Sequence, residues 1–225
     1  MVSSIYKKTF SVLMKRPFRL WGISLLAEFL CLVAYAGFIG VPAAAFCAAL
    51  LLSASMSMIF LNSYRTGLEP KTSYLFASFK KDRILRVLGG MAWMQLWIFL
   101  WSLIPIVGIV FGIIRMYEYR FVPYILMTRD DVKPTDAIKI SKQETMGYKG
   151  KMFGADILLG AVYLGVFLVF TLLGEIPYLG VLFRILWVLI AIAYGLLAPL
   201  FSGIMHAAFY VEIQNRRAAG SWHPA

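Results

Sequence analysis

The sequence predicts an all-α integral membrane protein with six transmembrane helices. They form three hairpins, each preceded by an amphipathic interfacial helix, with both termini in the cytoplasm. Three observations predict it. Hydrophobic residues make up 61% of the 225 and aromatics 16%, against about 45 to 50% apolar in a soluble domain. Several windows exceed the roughly 18 consecutive apolar residues that cross about 30 Å of hydrocarbon. Lysines and arginines gather in every second connection between those windows.

The elements follow in order. Residues 5–16 (IYKKTFSVLMKR) mix basic and apolar side chains at helical spacing, as in a helix lying in the headgroup region with its apolar face down. The first span, 20–38, carries one deep acid, Glu28. The second, 42–61, joins Ser53, Ser55 and Ser57 to Ala43, Ala44, Ala45, Ala48 and Ala49, a small-residue surface suited to close helix packing. A second interfacial helix is expected at 74–86 (YLFASFKKDRILR), then the third span, 88–104. Pro105 marks either a tight turn or a break in one long helix, and the fourth span follows at 106–127. A third interfacial helix, 136–153, starts behind Pro134, with Gly147 and Gly150 ending or bending it. The last pair of spans is 157–173 and 181–210, the latter crossing once despite Pro199. Solvated linker is the alternative for the interfacial segments, because topogenesis alone populates such stretches with lysine.

Each outer turn has an aliphatic residue before proline: Val41-Pro42, Ile104-Pro105 and Ile176-Pro177. IPIVGIVFGII from Ile104 and IPYLGVLFRIL from Ile176 share Ile, Pro, Gly, Phe and Ile in register. The chain therefore reads as one polytopic domain over 1–225. The match is either an internal repeat, with units 1–66, 67–130 and 131–217 and a short tail, 218–225, or a chance one in low-complexity apolar sequence.

Orientation follows from charge. Five basic residues lie in 1–19, six in 65–86, six in 129–151 and two in the tail, which is 19 of 22 on one side. By the positive-inside rule that side is cytoplasmic. The net charge of +11 sits beside span ends and is interleaved with Asp130, Asp131, Asp136 and Glu144. It suits anionic lipid headgroups rather than nucleic acid. Cys31 and Cys47 fall within spans, and no CxxC or His-rich spacing points to a metal or cofactor. The first span lacks a cleavage site and is read as retained.

From Tyr74 onward the chain resembles a bacterial family of integral membrane proteins, domain of unknown function 975. The resemblance is carried by LFASFK (75–80), WIFLWSLIPIVG (97–108), IIRMYEYRFVPYIL (113–126), DAIKISKQETMGYKGKMF (136–153) and AAFYVEI (207–213). It implies a multi-pass bacterial inner-membrane protein and no activity. The chain departs from the family in a longer link between Pro105 and Arg115 and in the proline- and glycine-marked turn at 175–180. A looser similarity to the membrane domain attached to some glycerophosphodiester phosphodiesterases implies a lipid-adjacent setting, and no catalytic residue transfers from it.

The candidate polar site is Glu28, Arg115, Glu118 and Arg120. Arg115 lies about nine residues past the outer turn, roughly 13 Å deep on a straight helix, and Glu118 is on the same face. A lone guanidinium at the bilayer centre costs at least about 2.5 to 3.5 kcal/mol, so pairing is expected. Arg120 points elsewhere and can snorkel. Glu28 either answers Arg115 across the bundle or stays protonated, because desolvation disfavours its charged form. His206 reads as a satisfied core or interface histidine, and Glu175 is available to Arg184. The site is either a pocket for an anionic headgroup, peptide carboxylate or ion, or a structural ion pair holding helices in register.

No nucleophile-and-base spacing, phosphate loop or metal cluster suggests an enzyme. Two functions stand: binding or translocating an amphipathic lipid or peptide, or a non-transporting accessory or scaffold acting through its interfacial helices. The expected partners are membrane lipids, with a protein partner or a second copy also possible. A cavity reaching Arg115 favours the first function, and a closed pair in a tight bundle favours the second.

Overall fold

The computed structural model describes residues 1–15, 17–37, 42–67, 71–105 and 108–220. Among them every regular element is helical: α1 (Val2–Lys15), α2 (Pro17–Gly37), α3 (Pro42–Thr66), a 3-10 helix (Thr72–Phe79), α4 (Ile84–Ser102), α5 (Gly108–Glu118), α6 (Val122–Thr128), α7 (Pro134–Thr145), α8 (Lys149–Leu173) and α9 (Gly180–Ala218). Five helices are long and apolar enough to cross a membrane: α2 over Phe18–Ala36, α3, α4, α8 and α9. Val41, Ile106 and Val107 of the expected outer turns, Arg16 and His223 lie outside the described residues.

In α1, Ile5, Thr9 and Leu13 recur every four residues and form the buried face, packed mainly against α9. Lys7, Lys8 and Lys15 are exposed, as an interfacial helix requires. The second expected interfacial segment is divided. Its first half is the 3-10 helix, and Ile84 to Arg86 already belong to α4. The third becomes α7, ended by Gly147 at φ +78°, a left-handed conformation that glycine adopts without a Cβ clash. Gly150 does not bend the chain. It lies inside α8, which begins at Lys149, eight residues ahead of the expected span. Likewise α9 runs for 39 residues through Pro199.

The segment expected as the fourth span is two helices, α5 of 11 residues and α6 of 7. At about 1.5 Å per residue α5 covers about 16 Å, half of a hydrocarbon core. The reason is Pro123, in the first turn of α6. Its ring would meet the carbonyl of Tyr119 if the helix were continuous, whereas a proline is tolerated where a helix begins. Side chains of α7 repair the break. Ser141 Oγ donates to the Glu118 carbonyl at 2.7 Å and accepts from the Phe121 N–H at 3.2 Å, while Thr145 Oγ1 reaches the same carbonyl at 3.3 Å. Buried backbone groups outside a helix require such partners.

Burial is uneven along the helices. The core gathers Leu50–Tyr64 of α3, Val87–Met94 of α4, α6, and Leu200–Ile213 of α9. Helices α4 and α6 approach so closely that a Cβ on Gly90 would stand 2.5 Å from Leu126 Cδ1. In contrast, no side chain in 157–173 or 181–199 is buried. There α8 and α9 hold to each other through Tyr163 stacked on Tyr194 at 4.1 Å and Trp187 against Phe167 at 5.2 Å. A surface so apolar suits lipid rather than water.

Candidate functional site

Two polar groups meet inside the helical core, and the broken segment between α5 and α6 contributes to both. The first is closed. Glu118, its side chain 5% exposed, pairs with Arg115 one turn back and accepts from Lys149 Nζ of α8 at 2.6 Å. Arg115 also lies over the Trp101 ring, 4.4 Å from its centroid. The expected Arg115–Glu118 pair is present, with Lys149 as a second cation that the sequence reading had not included.

The second group is open. One terminal guanidinium nitrogen of Arg120 stands 3.0 Å from Nδ1 and 3.1 Å from Nε2 of His206. Asp156 Oδ2 lies 3.2 Å from His206 Nε2 and accepts from the Tyr117 hydroxyl at 2.7 Å, but is 4.0 Å from Arg120. Ser202 Oγ, one turn before His206, is 3.3 Å from Nδ1. Three elements thus supply one network: α5 and the break, the first two turns of α8, and α9.

Arg120 and His206 line a cavity of about 520 Å³ between α3, α4, the break and α9. Ser202 and Gln95 add further polar groups. Phe60, Met91, Met94 and Met116 make an apolar, adaptable wall. Gly203 lets α9 approach α3 here, since a Cβ on it would stand 2.3 Å from the Phe60 ring. A cavity that joins apolar side chains to a few polar groups is the usual form of a ligand site.

Of the four sequence-named residues, the structure brings Arg115 and Glu118 together and puts Arg120 in the cavity wall, separately from them. Glu28 is on an exposed face of α2 and forms no ion pair with Arg115 among the described residues. Hydropathy gives a residue's depth in a span but not the direction it faces. Asp156 and Lys149 escaped the sequence reading because the fifth span was started at 157. Their signal was the continuation of helical spacing back through Ala155 and Met152, both buried. Arg184 lies 3.6 Å from Glu175, both well exposed.

At the basic end of the bundle, Glu144 of α7 is 3% exposed. It accepts from Arg129 Nη2 at 2.6 Å, with Arg217 Nη1 at 3.9 Å. Burial opposes the charge on Arg129, but the bond to Glu144 outweighs it and holds the guanidinium above its ordinary range. Arg83 and Arg86 converge on Asp130 at 2.7 and 2.6 Å. No His, Cys, Asp and Glu grouping fit for a metal lies among the described residues. The chain matches no protein-family model, no curated protein and no solved structure.

Proposed function

We propose that this chain binds, and in doing so carries or presents, an amphipathic anion within the membrane, its acidic head on Arg120 and its apolar part against the methionine wall. The observation that carries this reading is Arg120 itself. Its side chain lines the cavity and its hydrogen bonds go to an imidazole, while the nearest carboxylate oxygen is 4.0 Å away. Of five N–H donors, most remain for a ligand. The guanidinium is part-buried, and an acidic headgroup would accept from the donors that His206 leaves over.

The setting we propose is the bacterial cytoplasmic membrane, with both termini inside and three hairpins. The short α5 and α6 together make the return of the central hairpin. The basic residues clustered at one set of helix ends support this orientation. We group the chain with the bacterial family it resembles, domain of unknown function 975, and assign it no enzymatic chemistry. The accessory or scaffold reading keeps one support, the exposed Lys7, Lys8 and Lys15 of α1, which suit an anionic surface or partner.

The test is lipid analysis of the full chain extracted in native-membrane particles. Wild type should carry one class of anionic amphiphile at near-stoichiometric amount, and Arg120→Gln should lose it while keeping its thermal midpoint. Equal lipid content in both would leave the scaffold reading in its place.

A further inference from the structure

The cavity is bounded by a charge balance that an incoming anion would upset. Arg120 is positive, Asp156 accepts from both Tyr117 and His206 as a carboxylate does, and the imidazole lies between them. A guanidinium only donates, and one Arg120 nitrogen stands 3.0 Å from Nδ1 and 3.1 Å from Nε2, so the imidazole must keep a lone pair for it, which an imidazolium lacks. With Asp156 accepting from Nε2, the lone pair is on Nδ1, His206 is neutral, and the three groups sum to zero. An anion added to Arg120 alone would leave one uncompensated negative charge in an apolar cavity, a costly state.

Resting on the proposed anion pocket, we infer that His206 is its proton-binding site, so that each anion enters with one proton. The anion takes the Arg120 donors, the contact from Arg120 to His206 breaks, and a proton from water adds to the freed Nδ1 lone pair. Imidazolium then faces Asp156 and the anion faces Arg120, and the site is again neutral. No electrons move and no bond beyond the new N–H forms. Ligand entry is thus coupled to a proton, as in a proton–anion cotransport site, and reciprocally lower pH strengthens anion binding.

The other titratable groups around His206 leave it this role. Helix α8 contributes Asp156, α5 contributes Tyr117, and the break contributes Arg120 and Tyr119. From α6 the Tyr124 hydroxyl donates to the Gly203 carbonyl at 3.5 Å, and from α1 the Tyr6 hydroxyl donates to the Ala155 carbonyl at 2.5 Å. Helices α3 and α4 present Ser57 and Gln95 to the cavity, which do not titrate. His206 is the group in this set whose ordinary titration falls between about pH 5 and 8.

The experiment is calorimetric titration of the full chain in phosphatidylcholine nanodiscs with decanesulfonate, empty discs subtracted. This probe stays ionised throughout, so any linked proton belongs to the protein. Heats in two buffers of different ionisation enthalpy, between about pH 6 and 8, count the protons. Wild type should take up close to one proton per bound anion, with affinity rising toward about tenfold per pH unit lowered. His206→Asn, which still offers Arg120 an acceptor, should bind with no uptake. Saturable binding that is lost in Arg120→Gln but shows no proton uptake in wild type overturns the coupling and leaves the pocket intact. So does uptake that survives in His206→Asn. Absence of saturable wild-type binding, or binding indifferent to Arg120→Gln, overturns the pocket reading and this inference with it. The wild-type buffer comparison decides the coupling even if a variant fails to fold.

Discussion

Arg120 places a guanidinium nitrogen 3.0 Å from Nδ1 of His206, 86 residues later in the chain, while Glu118, only two residues before it, belongs to a different cluster. Two residues along a helix turn a side chain by about 200°, so the two already face apart without the break. Glu118, on α5, faces Arg115 and Lys149, and Arg120, two residues on and past the helix end, lines the cavity.

The closed cluster should behave as structure. Glu118→Ala leaves Arg115 and Lys149 without their shared carboxylate inside the core. Hydrogen bonds to charged groups contribute about 1.5 to 3 kcal/mol, and both cations keep some exposure. The expected result is a clear fall in thermal midpoint in detergent, with Arg120→Gln unchanged in the same assay. Comparable midpoints for Glu118→Ala and wild type would show that the cluster does not hold α5 to α8.

Arg120→Gln removes the charge but keeps a donor of similar reach. Hydrogen bonds to charged groups contribute about 1.5 to 3 kcal/mol, so anion affinity should drop about tenfold to a hundredfold. Equilibrium titration of decanesulfonate into nanodiscs measures it. A loss below twofold would remove Arg120 from the site.

Gly203→Ala tests the cavity by volume rather than charge. The new methyl group occupies the edge of the Phe60 ring, which yields toward the cavity it lines. Weaker binding with little change in unfolding temperature is expected, and Phe60→Leu added to Gly203→Ala should restore it. A double variant as weak as the single one would contradict this geometry.

Glu28 should matter little. Its side chain is exposed on α2 and makes no ion pair among the described residues, so removing its charge leaves no partner unpaired. Glu28→Gln is expected to match wild type in midpoint and in anion binding. A several-fold change in either would give this acid a role in the site.

Much of the fold was legible because hydropathy and helical spacing report length and apolarity directly. The starts of α3 and α9 and the helical spacing of α1 follow from that. The break at 119–121 was not, since the apolar run continues through it and only Pro123 marks the interruption. The site was half legible for the same reason. Arg115, Glu118 and Arg120 stand out as charges in an apolar run, whereas Asp156 looked like the end of a loop. His206 was read as satisfied, and it is, yet its partners also face a cavity. A sequence carries no signal for which satisfied polar groups border empty space.

The most direct measurement of the central claim is a density map of the full chain in native-membrane particles. The account predicts an elongated feature between Met91, Met94 and Met116, its head within hydrogen-bonding distance of Arg120 and absent from Arg120→Gln. A well-resolved cavity that is closed by side chains or holds only water in wild type would contradict it.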